Sequence, residues 1–301
     1  MSLTLPWQRP SRPLAHGVPP DHVRAVTAGD PVDAPGREPT ICETRDTDWL
    51  RLQTLVRMPA GLDTRALLDL NAAQPGRAGF APGAGNAVRI LCDLPLLPHQ
   101  TGEDPRIAPA MESIVRAMRA LNGGPIGDRH ARASLIAGKG VQSVDDRLPT
   151  ADCRTPIANL CAESGWPCVE RAADRWAVEL EGTTRFCQAV VTADGPGVRL
   201  AVALADWTGI DAICDQALVE LLIAAAGVFR VARPGISIEG LRRTALLVAW
   251  LPTEDVATEL ATALSALSVA AASMIGEIEA LRDPRIAGEY LAMNARPPIA
   301  A

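Results

Sequence analysis

The sequence predicts an α+β fold with two tandem modules, each an antiparallel sheet packed with helices. Three observations predict it: a meander of apolar runs within residues 175–207, a long amphipathic helix near the C-terminus, and a pattern of elements shared by the two halves. The chain has 301 residues, of which 48% are hydrophobic. This length and composition allow about two domains of ordinary size.

The meander consists of apolar runs at residues 176–180, 186–191 and 198–204. A threonine pair separates the first two runs, and the turn-forming sequence Asp194-Gly-Pro-Gly separates the last two. Short apolar runs bounded by turn residues are typical of strands, so the last two runs should form a hairpin. A short helix over residues 156–165 should precede them, because a threonine and a proline open it and a glycine ends it.

The last helix is predicted over residues 254–281, after a helix at 211–231 and strands at 236–239 and 243–251. Its apolar residues recur every three or four positions, which places them on one helical face. They are Val256, Leu260, Leu264, Leu267, Ala271, Met274, Ile278 and Leu281. We expect this face to cover the sheet, with coiled-coil assembly as the alternative. A second stripe, of small residues, should let another element approach closely.

The two halves share a pattern whose copies begin 148 residues apart. Residues 51–60 correspond to 199–208, and Gly61-Leu-Asp63 corresponds to Gly209-Ile-Asp211. In each half a helix follows, then a break that contains glycine, an apolar strand that ends in proline, and a closing helix. We infer a degenerate tandem repeat with a shortened first copy. The remaining elements predicted for that copy are helices at 64–74 and 109–121, a strand at 88–98, and weak strand candidates at 22–28 and 40–44.

The predicted domain boundaries follow from this repeat and from local composition. Residues 1–20 contain five prolines, which is typical of a flexible arm. A stretch rich in Gly and charge, without a sustained period, separates the modules as a linker. The divisions are an arm at 1–20, a truncated α+β first module at 21–121, a linker at 122–151, an α+β second module at 152–285 and a tail at 286–301.

Charge and composition exclude several classes of partner. The formal net charge is -6, and the cationic side chains are all arginines except Lys139, so neither half predicts binding to nucleic acid. The N-terminus lacks the pattern of a secretory signal, and the longest apolar helix is too polar for a membrane span. The seven cysteines form no C-x-x-C pair, which indicates free thiols and a cytoplasmic location.

The residue types that carry chemistry do not form recognisable sites. None of the four histidines pairs with another at helical spacing, and Cys161 and Cys168 lie seven positions apart, so no metal site is predicted. The sequence around Lys139 lacks the first glycine and the Ser or Thr of a phosphate-binding loop. We therefore expect no enzyme activity and no cofactor. An enzyme site formed only between the domains stays open as an alternative.

Binding to a protein is the remaining class, and aromatic and small residues are its candidates. Trp166 and Trp207 lie at the ends of predicted elements, where we expect them to be exposed and to contact a partner. Tyr290 follows the last predicted helix and should either dock the tail or meet a partner. The complete set of predicted partner-binding residues is Trp166, Trp207, Trp176, Ala257, Ala261 and Tyr290.

The order of the elements resembles the fold of type III secretion chaperones (the CesT/Tir-chaperone class) and their YbjN-like relatives. The stretches that carry the resemblance are the helix at 156–165, the strands within 175–207, the helix after Asp211, the strand at 244–251 and the helix at 254–281. The resemblance covers most of residues 152–285, more loosely 22–121, and includes no diagnostic motif. The shortened first copy and the long linker depart from the family pattern.

This resemblance implies α+β units without a catalytic signature that bind an extended segment of a partner or pair with one another. A tandem copy implies an internal pseudo-dimer, paired through the helix at 212–231. We therefore expect a non-enzymatic protein-binding chaperone or adaptor that holds a segment of a partner protein. The alternative is an accessory structural subunit permanently integrated in a larger complex, with the arm and the C-terminal tail draped over its neighbours.

Overall fold

A computed structural model describes residues 41–45, 48–96, 104–122, 154–172, 174–180, 187–194 and 197–294. The predicted arm, the strand candidate at 22–28 and almost all of the linker lie outside these residues. The described part contains two antiparallel sheets, of four and six strands, together with helices. The predicted α+β class with two sheet modules is therefore confirmed.

The first module contains a four-stranded sheet with the strand order β1-β2-β4-β3. Helix α1 connects β2 to β3, and helix α2 follows β4 and packs against β2 and β4. The elements are β1 (Cys42–Arg45), β2 (Trp49–Arg57), α1 (Thr64–Ala73), β3 (Gly79–Pro82), β4 (Ala87–Pro95) and α2 (Ile107–Asn122).

The second module contains a six-stranded sheet with the strand order β5-β6-β7-β8-β10-β9. Its first helix and its long helix both lie on one side of this sheet, where the long helix contacts β6, β8 and β10. The elements are α3 (Arg154–Glu163), β5 (Cys168–Ala172), β6 (Arg175–Leu180), β7 (Cys187–Asp194), β8 (Gly197–Asp206), α4 (Ala212–Ala226), β9 (Arg233–Glu239), β10 (Arg242–Pro252), a 3-10 turn (Thr253–Asp255), α5 (Val256–Ala280) and α6 (Pro284–Asn294).

The predicted meander is confirmed as β6, β7 and β8, and β7 and β8 form the predicted hairpin. Strands β3 and β5 were not predicted. The sequence of β3 is GFAP, whose glycine and proline are typical of a turn and not of a strand. The sequence of β5 is CVERA, which lacks an apolar run. Both are edge strands, where pairing on one side suffices and the demand for apolar residues is low.

The predicted tail at 286–301 is wrong in its first part, because Pro284–Asn294 forms helix α6 and packs against α4. The sequence carried the signal: Asp283 accepts a hydrogen bond from the backbone N–H of Arg285 at 2.8 Å, and Pro284 follows it. A capping aspartate followed by proline is a common helix start. The second module therefore extends past residue 285.

Helix α5 confirms the prediction for its large apolar stripe. Leu264 and Leu267 are fully buried, and the helix lies across β8 and β10. The larger of two hydrophobic clusters in the described residues joins both modules, for example Leu68 and Phe80 of the first with Leu218 and Leu247 of the second. The two modules therefore share a core and do not form two separate ones.

The predicted repeat is visible in the topology. The order β1-β2-β4-β3 recurs as β7-β8-β10-β9, with α1 and α4 in equivalent places. Gly61 and Gly209 both adopt positive φ, at 79° and 68°. Asp63 and Asp211 then cap α1 and α4 by accepting backbone hydrogen bonds through their carboxylates. Among the described residues, α3, β5 and β6 have no counterpart in the first module.

The middle helices α1 and α4 join the modules in a reciprocal way. Helix α1 contacts β9 of the second module, α4 contacts β3 of the first, and the two helices contact each other. At Gly235 in β9, an added Cβ would lie 2.9 Å from the carbonyl oxygen of Leu68 and from the backbone nitrogen of Ala72. Glycine is required there because the backbone of α1 lies directly on the strand.

Two arginines at equivalent positions of the repeat donate hydrogen bonds to backbone carbonyl oxygens at the C-terminal ends of these helices. Arg51 on β2 donates to the carbonyl oxygens of Gly227 at 2.8 Å and Phe229 at 3.2 Å, just beyond α4. Arg199 on β8 donates to the carbonyl oxygen of Ala72 at 3.1 Å, at the end of α1. The last carbonyls of a helix carry partial negative charge and lack partners within the helix, so each module supplies a cation to the helix of the other.

A buried carboxylate on α5 connects the modules a second time. Glu259 accepts hydrogen bonds from Arg77 at 2.6 Å and from Arg106 at 2.7 Å, both of the first module. Asp255 also pairs with Arg77. Burial opposes the charge of Arg77, but its bonds to Glu259 and Asp255 outweigh burial and raise its pKa. The guanidinium therefore stays charged at any physiological pH.

The buried face of α5 generates the first testable prediction. Leu264→Ala should lower the free energy of unfolding by about 2–5 kcal/mol, because it removes buried methyl groups and leaves a cavity. Val269→Ala is the control, since Val269 lies on the same helix with 70% of its surface exposed; its effect should stay within about 0.5 kcal/mol. Urea denaturation followed by circular dichroism measures both, and equal effects would contradict the assignment of faces.

The ion pairs between the modules generate the second prediction. Glu259→Gln should destabilise the protein by about 3–5 kcal/mol, the usual cost of removing one member of a buried ion pair. Glu289→Gln is the control, because Glu289 forms an exposed pair with Arg285 at 3.1 Å, which contributes less than about 1 kcal/mol. Thermal unfolding distinguishes the two, and a Glu259→Gln variant as stable as the control would refute a connecting role for Glu259.

Candidate partner-binding surfaces

The predicted exposure of Trp207 is wrong, because only 1% of its surface is accessible. It follows β8, where the chain turns under the end of α5, and the guanidinium of Arg282 lies 5.7 Å above its ring. Trp176 is also buried, with 3% accessible, because on β6 it points to the face that α5 covers. Neither ring reaches the protein surface, so the structure gives no support to their predicted contact with a partner.

The two remaining aromatic candidates pack against the core to different degrees. Trp166 is half-buried between α3 and β5, and its backbone N–H donates to the carbonyl oxygen of Cys161 at 2.8 Å. Tyr290 lies on α6 and is buried, and burial together with the charges of Glu277 and Glu220 raises its pKa to about 12. Of the two alternatives for Tyr290, the structure shows docking of its own helix.

Ala257 and Ala261 lie together on the outer face of α5, where Ala257 is exposed and Ala261 is half-buried. This outer face consists of Ala257, Ala261, Ser265, Val269, Ser273 and Gly276 and contains no charged residue. By length and composition alone, the helix Thr253–Ala280 is long and apolar enough to cross a membrane. Half of its most apolar 18-residue segment is buried within the protein. A surface helix usually presents charges to water, so this neutral face is unusual.

A second surface lies on the side of the six-stranded sheet opposite α5, and we call it the open face. Strand register places one row of small apolar residues side by side across it, each paired with the next. The row runs Val169 (β5), Ala177 (β6), Val190 (β7) and Ala201 (β8). Val169 and Val190 remain 54% and 38% exposed.

Helix α1 borders the open face at one end. The row continues from Ala201 to its partner Val248 on β10, which packs with Leu246 against Ala72 of α1. From this helix, the row crosses four strands and reaches the outer strand β5. We call this apolar strip the channel; it ends at α1 on one side and at the exposed sheet edge on the other.

Charged and polar rows flank this channel. On one side Arg175 pairs with Thr192, which pairs with Arg199. On the other side Glu179 pairs with Gln188. The channel thus has a cationic border and an acidic border, which gives an extended ligand a preferred direction.

Strand β5 leaves the edge of the sheet exposed. Within the described residues it pairs with β6 alone, and residues 169–172 are all exposed. Its register shifts between Glu170 and Ala172. A charged, irregular edge discourages indiscriminate strand pairing but keeps its backbone groups accessible.

Burial makes two of the described cysteine thiols weakly reactive. Burial raises the pKa of Cys161 to about 12 and that of Cys92 to about 12, so both thiols are protonated and weakly nucleophilic. Cys161 forms a hydrogen bond with Cys168, whose pKa is also raised by burial. In the described ranges, no three His, Cys, Asp or Glu side chains are placed to hold a metal ion.

Sequence reasoning missed the row on the open face. The predicted residues Ala257 and Ala261 do lie together, but the tryptophans do not join them, and Val169 and Val190 were not singled out. Alternate positions of the predicted meander could have indicated Val190 once its register was known. Val169 could not be placed because β5 was not recognised.

Comparison with known proteins found no matching family model, no matching curated protein and no matching solved structure.

The raised thiol pKa values generate the third prediction. At pH 8, iodoacetamide should alkylate Cys92 and Cys161 of the folded protein at least tenfold more slowly than in urea, because burial keeps them protonated and shielded. Site-resolved mass spectrometry measures each rate, and the unfolded protein is the control. Rapid modification of Cys161 in the folded state would show an accessible, reactive thiol next to β5.

Proposed function

We propose that this protein is a non-enzymatic, cytoplasmic chaperone or adaptor that holds an extended segment of a partner protein. The observation that supports the proposal is the apolar channel on the open face, which leads to the exposed edge of β5. The resemblance of the element order to type III secretion chaperones agrees with this function.

The proposed mode is addition of a strand at β5. The backbone groups of an extended segment pair with those of the edge, which gives affinity without regard to sequence. Side chains then alternate between the two faces of the sheet, so every second residue of the segment lies beside Val169 on the open face. An apolar residue at those positions would extend the existing row by one strand.

Charges on the edge strand make this mode of binding selective, and the small area that one added strand buries makes it weak. Glu170 and Arg171 lie on the edge itself, so a segment with complementary charges at the facing positions is favoured over an uncharged one. One added strand buries less surface than a stable protein–protein interface. We therefore expect transient binding, suited to a protein that holds and releases its client.

A second candidate function is that of an accessory subunit built permanently into a complex. The neutral outer face of α5 favours it, since a permanent interface is more apolar than the rest of a surface. The two candidates use opposite sides of the same sheet. Variants on one side therefore test one function without disturbing the other.

The experiment begins with extended peptides selected from a random library on the full-length protein. Val169→Asp should weaken their binding about tenfold, because a charge replaces an apolar contact worth about 1–2 kcal/mol. Val190→Asp should weaken it much less, because Val190 lies on β7, two strands inward of β5. Val228→Asp is the control, since Val228 is 72% exposed outside this face. Fluorescence anisotropy measures affinity, and circular dichroism confirms that the variants fold.

Hydrogen exchange locates the bound peptide independently of the variants. Slower exchange of the backbone amides in Cys168–Ala172 is expected, because an added strand would pair with them. Unchanged exchange there, with unchanged affinity of the Val169→Asp variant, would refute the proposal. Protection confined to α5 would favour the accessory subunit.

A further inference from the structure

A small cavity lies between the two modules. Its volume is about 20 Å³, and its lining includes Asn71, Arg77, Phe80, Asp93, Phe229 and Arg233. A water molecule needs roughly 10–15 Å³ by this measure. The cavity therefore accommodates a water molecule or a single-atom ion and excludes organic ligands.

The wall of this cavity contains the buried, charged guanidinium of Arg233, which belongs to β9. Its guanidinium is buried and donates to the carbonyl oxygens of Ala78 and, at 3.5 Å, of Gln74. Burial, together with the nearby charge of Arg199, lowers its pKa to about 10. At neutral pH the side chain is still a cation, so a full positive charge lies inside the protein.

The other buried arginines at the interface are neutralised by carboxylates. Arg77 and Arg106 share Glu259, and Arg51 forms two bonds to Asp93, at 2.7 and 2.9 Å. Arg233, in contrast, bonds only to neutral carbonyl oxygens within the described part of the chain. An isolated buried charge is unfavourable unless an ion of opposite sign is close to it.

A buried donor of this guanidinium also lacks an acceptor. The Nε of Arg233, a residue of the cavity wall, has no hydrogen-bond partner among the described protein atoms. Buried N–H groups are nearly always paired, so an acceptor outside the protein chain is expected here.

We propose that Arg233 binds a monovalent inorganic anion of the size of chloride in this cavity. The anion neutralises the guanidinium and accepts a hydrogen bond from Nε. The carboxylate of Asp93 in the cavity wall repels anions, but its pairing with Arg51 and Arg230 weakens this repulsion, so one negative charge is tolerated better than two. The small volume, about 20 Å³, favours a single-atom anion over a larger one.

The position of the site links anion binding to the association of the modules. Arg233 belongs to β9, whereas Ala78 and Gln74, to which it donates, belong to the first module. A ligand that binds only the folded, associated state stabilises that state in proportion to its concentration. Chloride should therefore raise the melting temperature of the whole chain.

The test compares sodium chloride and sodium bromide with sodium gluconate, whose anion is too large for the cavity, at equal ionic strength. For the full-length protein, either halide should raise the melting temperature by about 2–4 °C relative to gluconate. Arg233→Met should abolish this difference. Arg285→Met, which removes an exposed arginine, should retain it. Equal melting temperatures of the natural protein in all three salts would overturn the proposal.

Crystals grown in sodium bromide provide a measurement that does not depend on a variant folding. An anomalous scattering peak is expected in the cavity beside Arg233. Ordered density there without an anomalous signal would identify a water molecule and would also overturn the proposal.

Discussion

The contact of each middle helix with the outer strand of the other module is the constraint on which the rest of the structure depends. Helix α1 lies on β9 so closely that its backbone meets Gly235 directly. This approach buries the ends of both helices, and their last carbonyls then need donors that water no longer supplies. Arg51 and Arg199 meet that need from equivalent positions of the repeat, which is why the modules share one core.

The same constraint explains why so much charge is buried. Arginines that reach across a buried interface bring positive charge with them, and Asp93 and Glu259 offset most of it. The cost of desolvating such ions is recovered only when geometry and partners are both fixed. The interface is therefore specific in register: a shift of α1 along β9 would separate several ion pairs at once.

The sequence predicted those parts of the fold that depend on local pattern. The stripe of α5, the β7–β8 hairpin and the correspondence of Gly61 with Gly209 all result from spacing along the chain. Trp207 was misplaced because its burial depends on Arg282, which approaches from far along the sequence. The open face was missed for a related reason: its row of residues exists only across four strands, and the outermost of them lacks an apolar pattern.

The covalent connection of the two copies changes how the two halves pair and how many binding surfaces one molecule displays. Pairing between the halves is unimolecular, so its equilibrium does not depend on how much protein a cell makes. A symmetric homodimer displays every surface twice and can crosslink its clients. In the described part of this chain β5 occurs once, so the proposed binding by strand addition would give each chain one docking edge and would not crosslink two clients through one molecule.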